Sequence, residues 1–169
     1  MATLTERMLG AALLERTTYE EVERDRTATA QALGVVVLSS VAAGIGLGAG
    51  LRGLIINTVA SIVLWAIWAA LVYAIGTRLL PEQDTHADWG EVARTVGFAQ
   101  APGLLRVFGI VPVLGHFVRA ATDVWVLIAT VVAVRQALDY RSLPRALGVC
   151  LIGWVLQVVG FLVLRRTLG

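Results

Sequence analysis

Lysine is absent from the sequence, so all 14 basic residues are arginine, and they lie mostly singly along the chain. Proteins that bind nucleic acid concentrate basic side chains on one face, with aromatic side chains among them. The sequence has no such basic patch, and we therefore expect no nucleic-acid partner.

Cysteine and histidine are nearly absent too. The single cysteine, Cys150, excludes an internal disulfide and a metal site of the Cys-x-x-Cys type. Only two histidines are present, and neither is placed where it would activate a serine nucleophile. The acidic stretch 82–91 matches no known cation-binding loop and fits a solvated turn. We therefore expect no enzymatic activity, no cofactor and no metal.

Charge is scarce throughout the chain. Only 15% of the residues are charged, 57% are hydrophobic and the mean hydropathy is +0.77. A chain of 169 residues with this composition has too little polar surface to cover a water-soluble globule. Lipid is therefore the expected solvent, and the fold class is an all-α, polytopic membrane bundle.

The apolar residues fall into blocks separated by short polar stretches, and each block is long enough to cross a hydrocarbon core of about 30 Å. The five predicted transmembrane helices are 28–50, 54–80, 92–114, 120–138 and 146–164, within one domain of residues 28–169. The third contains several glycines and two prolines, and we expect it to kink or break at Pro102.

Residues 1–27 form a separate, cytoplasmic amphipathic helical segment in this prediction. Six acids and four arginines alternate there with apolar residues at roughly helical spacing. Threonine or aspartate followed by glutamate three residues later predicts helix starts at Thr3, Thr18 and Asp88.

The arginines predict an orientation in the cell membrane. With a cytoplasmic N-terminus, nine of the 14 arginines lie in or next to cytoplasmic segments. The positive-inside rule favours this arrangement. Five crossings would then place the two termini on opposite sides of the membrane.

Two sets of residues are candidates for function or packing. Glycines alternate at Gly44, Gly46, Gly48 and Gly50, and these two overlapping G-x-x-x-G pairs predict close helix packing. Charged groups are costly within lipid, so the ionisable residues of the spans are default functional candidates. They are Arg106, Asp123 and Arg135.

These charged residues have two interpretations. In the first, Asp123 pairs with Arg106 or Arg119 in a polar cavity between spans three and four, with Gln100 beside it. In the second, the side chains extend from helix ends to the membrane interface, and this is the favoured interpretation for Arg135.

Several stretches resemble prokaryotic members of the Yip1 family. They are Tyr19–Val22 followed by Thr29–Leu33, Thr95–Pro102, and Trp125 with Ala133–Leu138. Gly97, Phe98 and Pro102 look like the glycine, aromatic and proline signature of that family's third span, although Phe98 replaces a tyrosine common in eukaryotic relatives. The resemblance implies the five-span layout, a cytoplasmic N-terminus and a trafficking-type role.

Two functions follow as expectations. The first is a non-enzymatic protein that organises membranes or acts as a scaffold for protein partners, engaging lipid and forming a homo-oligomer or a complex with another membrane protein. The alternative is a small transporter or lipid-translocating channel that uses the polar cavity.

Overall fold

The computed structural model describes residues 2–83 and 85–168, and within the last helix the side chains of residues 143–160, 162 and 166. Asp84, one of the acids of the central loop, lies outside the described residues. Throughout the described part of the chain the secondary structure is helical, without strands. The predicted all-α class is therefore confirmed.

The N-terminal segment contains two short helices, α1 (Leu4–Ala12) and α2 (Arg16–Arg24). Thr3 and Glu6 cap α1 in the predicted reciprocal arrangement. The cap predicted at Thr18 is wrong: Thr18 lies inside α2 and its hydroxyl donates to the carboxylate of Glu15 at 3.3 Å. The chain turns earlier than predicted, at Leu14, whose φ is 63°.

Among the described residues, four helices are long and apolar enough to cross a membrane. They are α3 (Ala28–Gly46), α4 (Leu51–Ala74) continued by one π-helical turn (Ile75–Leu79), α6 (Leu114–Ala137) and α7 (Leu143–Leu168). Four apolar helices are compatible with a multi-pass membrane protein. They correspond to predicted spans one, two, four and five.

The predicted third span is divided into two pieces. An α-helix, α5 (Trp89–Phe98), begins at the predicted cap of Asp88 with Glu91, and a 3₁₀ helix (Ala101–Ile110) follows it. The break falls just before Pro102, which has no N–H to donate and disfavours helical backbone in the preceding residue. A 3₁₀ helix of ten residues is unusually long, because its hydrogen-bond geometry is poorer than that of an α-helix.

Both pieces of the third segment lie side by side with α3 and run in the same direction. Gly97 packs against Ala32, Gly103 against Ser39, and Gly109 against Gly46. The numbers rise together along the two segments, so they are parallel from the beginning of α3 to its end.

The buried residues that the structure describes form two apolar clusters. One joins α4, α5, α6 and α7, and the other joins α1, α2, α3, α5, the 3₁₀ helix and α6. Tyr19 and Val22 of α2 are fully buried in the second cluster together with Phe98 and Ala129. The two N-terminal helices therefore pack on the long helices through a shared core.

Candidate functional site

A cavity of about 360 Å³ lies at the middle of the helices. Every long helix contributes to its wall, as do both pieces of the broken third segment. We call it the chamber. It is lined by Val36, Ser39, Ser40, Ala43, Asn57, Ser61, Leu64, Trp65, Trp68, Val96, Gln100, Arg106, Val126, Leu127, Thr130, Trp154 and Gln157. Eight of these side chains are polar and three are tryptophans, which is unusual inside an apolar bundle.

One wall of the chamber holds α3 and α4 together by hydrogen bonds. The Asn57 amide donates to the Ser40 carbonyl at 2.8 Å. The Ser40 hydroxyl lies 3.2 Å from the hydroxyl of Thr58 and donates to the Val37 carbonyl at 2.8 Å. These polar groups have partners within the protein and account for the contact between the two helices.

Arg106 is the one cation among the described residues that line the chamber. Arg106 donates through Nε to Asp123 Oδ1 at 2.9 Å and through Nη1 to the Ser39 hydroxyl at 3.3 Å. Its Nη2 lies 2.8 Å from the same Asp123 oxygen. Arg106 is 20% exposed and lines the chamber, whereas Asp123 is 59% exposed and does not line it.

A guanidinium has five N–H groups. The contacts with Asp123 and Ser39 use one from each of the three nitrogens of Arg106, which leaves two N–H groups without a partner among the described residues.

Two amides in the chamber are unpaired. Within residues 2–83 and 85–168, no side-chain hydrogen bond is made by Gln100 or Gln157. No buried side-chain nitrogen or oxygen of these residues lacks a partner, so the unpaired atoms of the two amides lie on accessible surface. A primary amide offers two donors and a carbonyl acceptor. The amides are therefore free to bind a molecule that enters the chamber.

Tryptophans close one side of the chamber. The rings of Trp68 and Trp154 stack with their centroids 6.0 Å apart, and Gly153 allows Trp68 to approach α7 closely. Trp65 donates from its indole nitrogen to the Ala93 carbonyl at 3.1 Å, which fixes α4 against α5. The chamber thus combines flat apolar faces with polar groups.

Some of the residues proposed from the sequence line the chamber, and others lie next to the residues that line it. Gln100 and Arg106 line the chamber, and Asp123 pairs with Arg106. Gly97, Phe98 and Pro102 are buried where α5 ends, so they shape the break in the third segment.

Arg135 is not among the residues that line the chamber. It donates to the carbonyls of Tyr140 and Arg141 at 3.1 and 3.0 Å and so satisfies backbone groups just beyond the end of α6. It borders a separate polar hollow of about 300 Å³. This placement excludes Arg135 from the predicted cavity.

Only two of the four alternating glycines lie within α3. Helix α3 ends at Gly46, so Gly48 and Gly50 are not part of the predicted helix-packing surface. Gly46 has no space for a side chain, because it packs on the backbone of Arg106, and Gly44 packs on Leu54. Gly48 instead adopts a positive φ of 67° in the turn, a conformation that glycine accepts without strain.

A second polar cluster joins the N-terminal helices to the rest of the molecule. Arg7 is only 2% exposed and pairs with Glu21 at 2.8 Å and Asp25 at 2.7 Å. It also donates to the side chain of Gln31 at 2.9 Å, so it links α1, α2 and α3. The Thr27 hydroxyl and then Arg7 lower the pKa of Asp25 to about 2.

Helix α2 ends against a buried arginine of α5. Arg94 donates through Nε to the carbonyl of Val22 at 3.0 Å, and its guanidinium also contacts the carbonyl of Glu23. The last carbonyls of a helix have no hydrogen-bond donor within the helix, and Arg94 supplies donors to two of them here. Burial, together with the charges of Asp139 and Glu91, raises the pKa of Glu23 to about 7.

Several chamber residues were not singled out from the sequence, notably Ser39, Thr130, Trp154 and Gln157. A signal was present in α4, where Asn57, Ser61, Trp65 and Trp68 recur at helical spacing on one face. No comparable pattern marks α6 or α7.

Comparisons with known proteins give no relative. No protein-family model matches the chain, no curated protein is significantly similar in sequence, and no solved structure is significantly similar in fold.

Proposed function

We propose that this protein binds an amphipathic small molecule within the membrane and moves it across the bilayer. The observation that carries the proposal is the chamber, in which two unpaired amides and an arginine converge at the middle of an apolar bundle. Polar side chains are expensive in lipid and are concentrated where a substrate passes. A broken helix beside such a cavity is typical of transporters.

The proposal includes a fifth crossing formed by α5 and the 3₁₀ helix. Ten residues of α-helix and ten of 3₁₀ helix extend about 35 Å together, which is enough for a core of about 30 Å. Irregular backbone is tolerated at membrane depth where protein covers it, and Ala101, Pro102 and Gly103 are buried. Five crossings and the arginine distribution favour a cytoplasmic N-terminus and a C-terminus on the other side.

The chemistry proposed here is transport, without catalysis. Among the described residues no group of three or more histidine, cysteine, aspartate and glutamate side chains is arranged to hold a metal ion. The chamber residues are suited to hydrogen bonding and stacking, which bind a ligand without altering it.

The proposal is tested in sealed vesicles that contain purified protein and a trace of tail-labelled fluorescent lipid. Dithionite, which does not cross the bilayer, destroys the label in the outer leaflet. Lipids with anionic, zwitterionic and uncharged headgroups are compared. Transport predicts that at least one label becomes fully accessible in vesicles with protein, while protein-free vesicles keep the inner-leaflet label.

Matched variants connect this activity to the chamber. Gln100→Leu and Gln157→Leu remove the unpaired amides and should slow translocation. Gln136→Leu is the same change outside the chamber, on a side chain 3.4 Å from Glu20, and should leave the rate unchanged. Equal rates for all four proteins, or no protein-dependent loss of label for any headgroup, would overturn the proposal.

A second candidate is the organising role expected from the sequence, with an N-terminal segment that engages lipid or a partner protein. Helix α1 and the residue after it expose Leu9 and Leu13, at 60% and 58% of their full accessibility. Such leucines suit contact with the membrane surface or a partner. Replacing both with serine should abolish partner recovery or membrane-shape effects under this proposal, and unchanged effects would remove it.

The resemblance to the Yip1 family belongs to this second candidate. It accounts for the trafficking-type role and the homo-oligomer or membrane-protein partner that we propose with it. Cross-linking in native membranes tests the partner directly: a single uncross-linked species at all cross-linker concentrations would count against association.

A further inference from the structure

An apolar groove lies beside the chamber on the outer surface of the bundle. It has a volume of about 680 Å³ and lies between α4 and α7. Its lining is Leu64, Ile67, Leu71, Leu156, Gln157, Val158, Gly160 and Leu162, so Gln157 is the one polar side chain among them. Leu64 and Gln157 also line the chamber, so the two spaces are neighbours that share these two side chains.

The two spaces differ in the chemistry they accept. The chamber offers hydrogen-bond donors from Gln100, Gln157 and Arg106, and Arg106 adds a positive charge whose partner carboxylate does not line the chamber. The groove offers aliphatic surface that is exposed on the outside of the bundle. Amide and guanidinium donors suit a phosphate group, and aliphatic walls suit an acyl chain.

We infer that the chamber and the groove together bind one phospholipid, with its phosphate headgroup at Arg106, Gln100 and Gln157 and an acyl chain between α4 and α7. This inference rests on the proposed function, for which it names the substrate class. The place of Gln157 in both linings explains the position of an amide on an otherwise apolar stretch of α7. In this arrangement the Gln157 amide contacts the lipid where the polar headgroup joins the acyl chain.

Gly160 gives a direct test of the groove. A Cβ added there meets no described atom within 4 Å, and Gly160 lines the groove, so we expect the ring of a phenylalanine at this position to extend into it. Gly34 on α3 is a matched control, since it is also helical with open space around it and lies outside both cavities. Ile67→Trp fills the groove from the α4 side and serves as an independent second variant.

Binding is measured in detergent, with purified protein and fluorescent phosphatidylglycerol. The lipid should bind saturably to wild type and to Gly34→Phe. Gly160→Phe and Ile67→Trp should each weaken binding by about tenfold or more, which corresponds to about 1.4 kcal/mol. Circular dichroism and gel filtration establish that each variant is folded.

Two competitors separate the headgroup from the chain. Inorganic phosphate at millimolar concentration and diacylglycerol, which lacks the phosphate, should each fail to displace the labelled lipid. Displacement by phosphate alone would indicate a site for a free anion, and displacement by diacylglycerol would indicate a chain-only site. Either result overturns the inference, as does unchanged binding in both groove-filling variants.

This measurement is independent of the vesicle assay. Specific binding without translocation would leave the lipid site in place and remove the transport proposal. Translocation that is insensitive to Gly160→Phe and Ile67→Trp would leave the transport proposal in place and remove the lipid site.

Discussion

Replacing Arg94 with alanine should release the N-terminal helices from the bundle. Arg94 is 4% exposed, and its guanidinium donates to the carbonyls of Val22 and Glu23 at the end of α2. A hydrogen bond from a charged donor contributes about 1.5 kcal/mol or more, so two such contacts amount to about 3 kcal/mol. Their loss also leaves two carbonyls at the helix end without donors.

Limited digestion with trypsin measures this release. Trypsin cuts after arginine, and Arg24 and Arg26 lie at the end of α2 and just after it. When opening is fast relative to cleavage, the rate follows the population of the open form, and about 3 kcal/mol corresponds to an increase of about a hundredfold. Arg94→Lys keeps one charged donor group, and its cleavage rate should fall between those of wild type and Arg94→Ala.

Arg78→Ala is the control, because Arg78 is exposed at the end of the π-helical turn. Its digestion at Arg24 and Arg26 should match that of wild type. If Arg94→Ala is also cleaved at the wild-type rate, the docking of α2 on α5 does not depend on this arginine and the reasoning is refuted.

Three further predictions concern stability, measured by unfolding in detergent. The raised pKa of Glu23 means that folding favours its protonated form. The free-energy cost of burying the ionised carboxylate is therefore absent at pH 4 and develops as the pH rises from about 4.5 to about 7. Glu23→Gln should therefore stabilise the protein at pH 8, by about 1 kcal/mol after solvent screening, and not at pH 4; a pH-independent difference would contradict this. Gly46→Ala should be more destabilising than Gly50→Ala, since only the first added methyl overlaps the Arg106 backbone; equal effects would argue against that close contact. A double-mutant cycle with Arg106→Leu and Asp123→Leu should give a coupling of about 0.6 to 1.7 kcal/mol, and additive effects would show that the pair is not energetically coupled.

Much of the helical structure follows from local sequence and could be predicted. The caps at Thr3 and Asp88 depend only on residues three positions apart, and both are present. The apolar blocks predict the four long helices because hydropathy and length are properties of each segment alone. Pro102 likewise predicts the break in the third segment, since a missing N–H acts locally.

Features that depend on neighbouring segments were predicted less well. Thr18 has the sequence of a cap, but the chain already turns at Leu14. Gly48 and Gly50 continue the spacing of a packing surface, but α3 has ended before them. In each case the position of a helix end, set partly by tertiary packing, decides what the same residue does.

The candidate site was predicted in part. The sequence offered Arg106 and Arg119 as partners for Asp123, and the geometry selects Arg106, while Arg119 donates to the Gly46 carbonyl instead. Gln157 and Trp154 were missed because a single polar or aromatic residue in an apolar helix does not reveal which neighbours it faces. The chamber exists only where the five segments converge, and convergence is not a property of any one of them.

The account depends most on a chamber that polar molecules reach inside the membrane. A direct measurement places single cysteines in a Cys150→Ala background, at Ser61 in the chamber and at Val59 on the exposed apolar face of α4. A membrane-impermeant, water-soluble thiol reagent is then applied to intact and to opened vesicles. The account predicts that the cysteine at position 61 is labelled and the one at position 59 is protected; a position 61 that stays unlabelled in both preparations would contradict it.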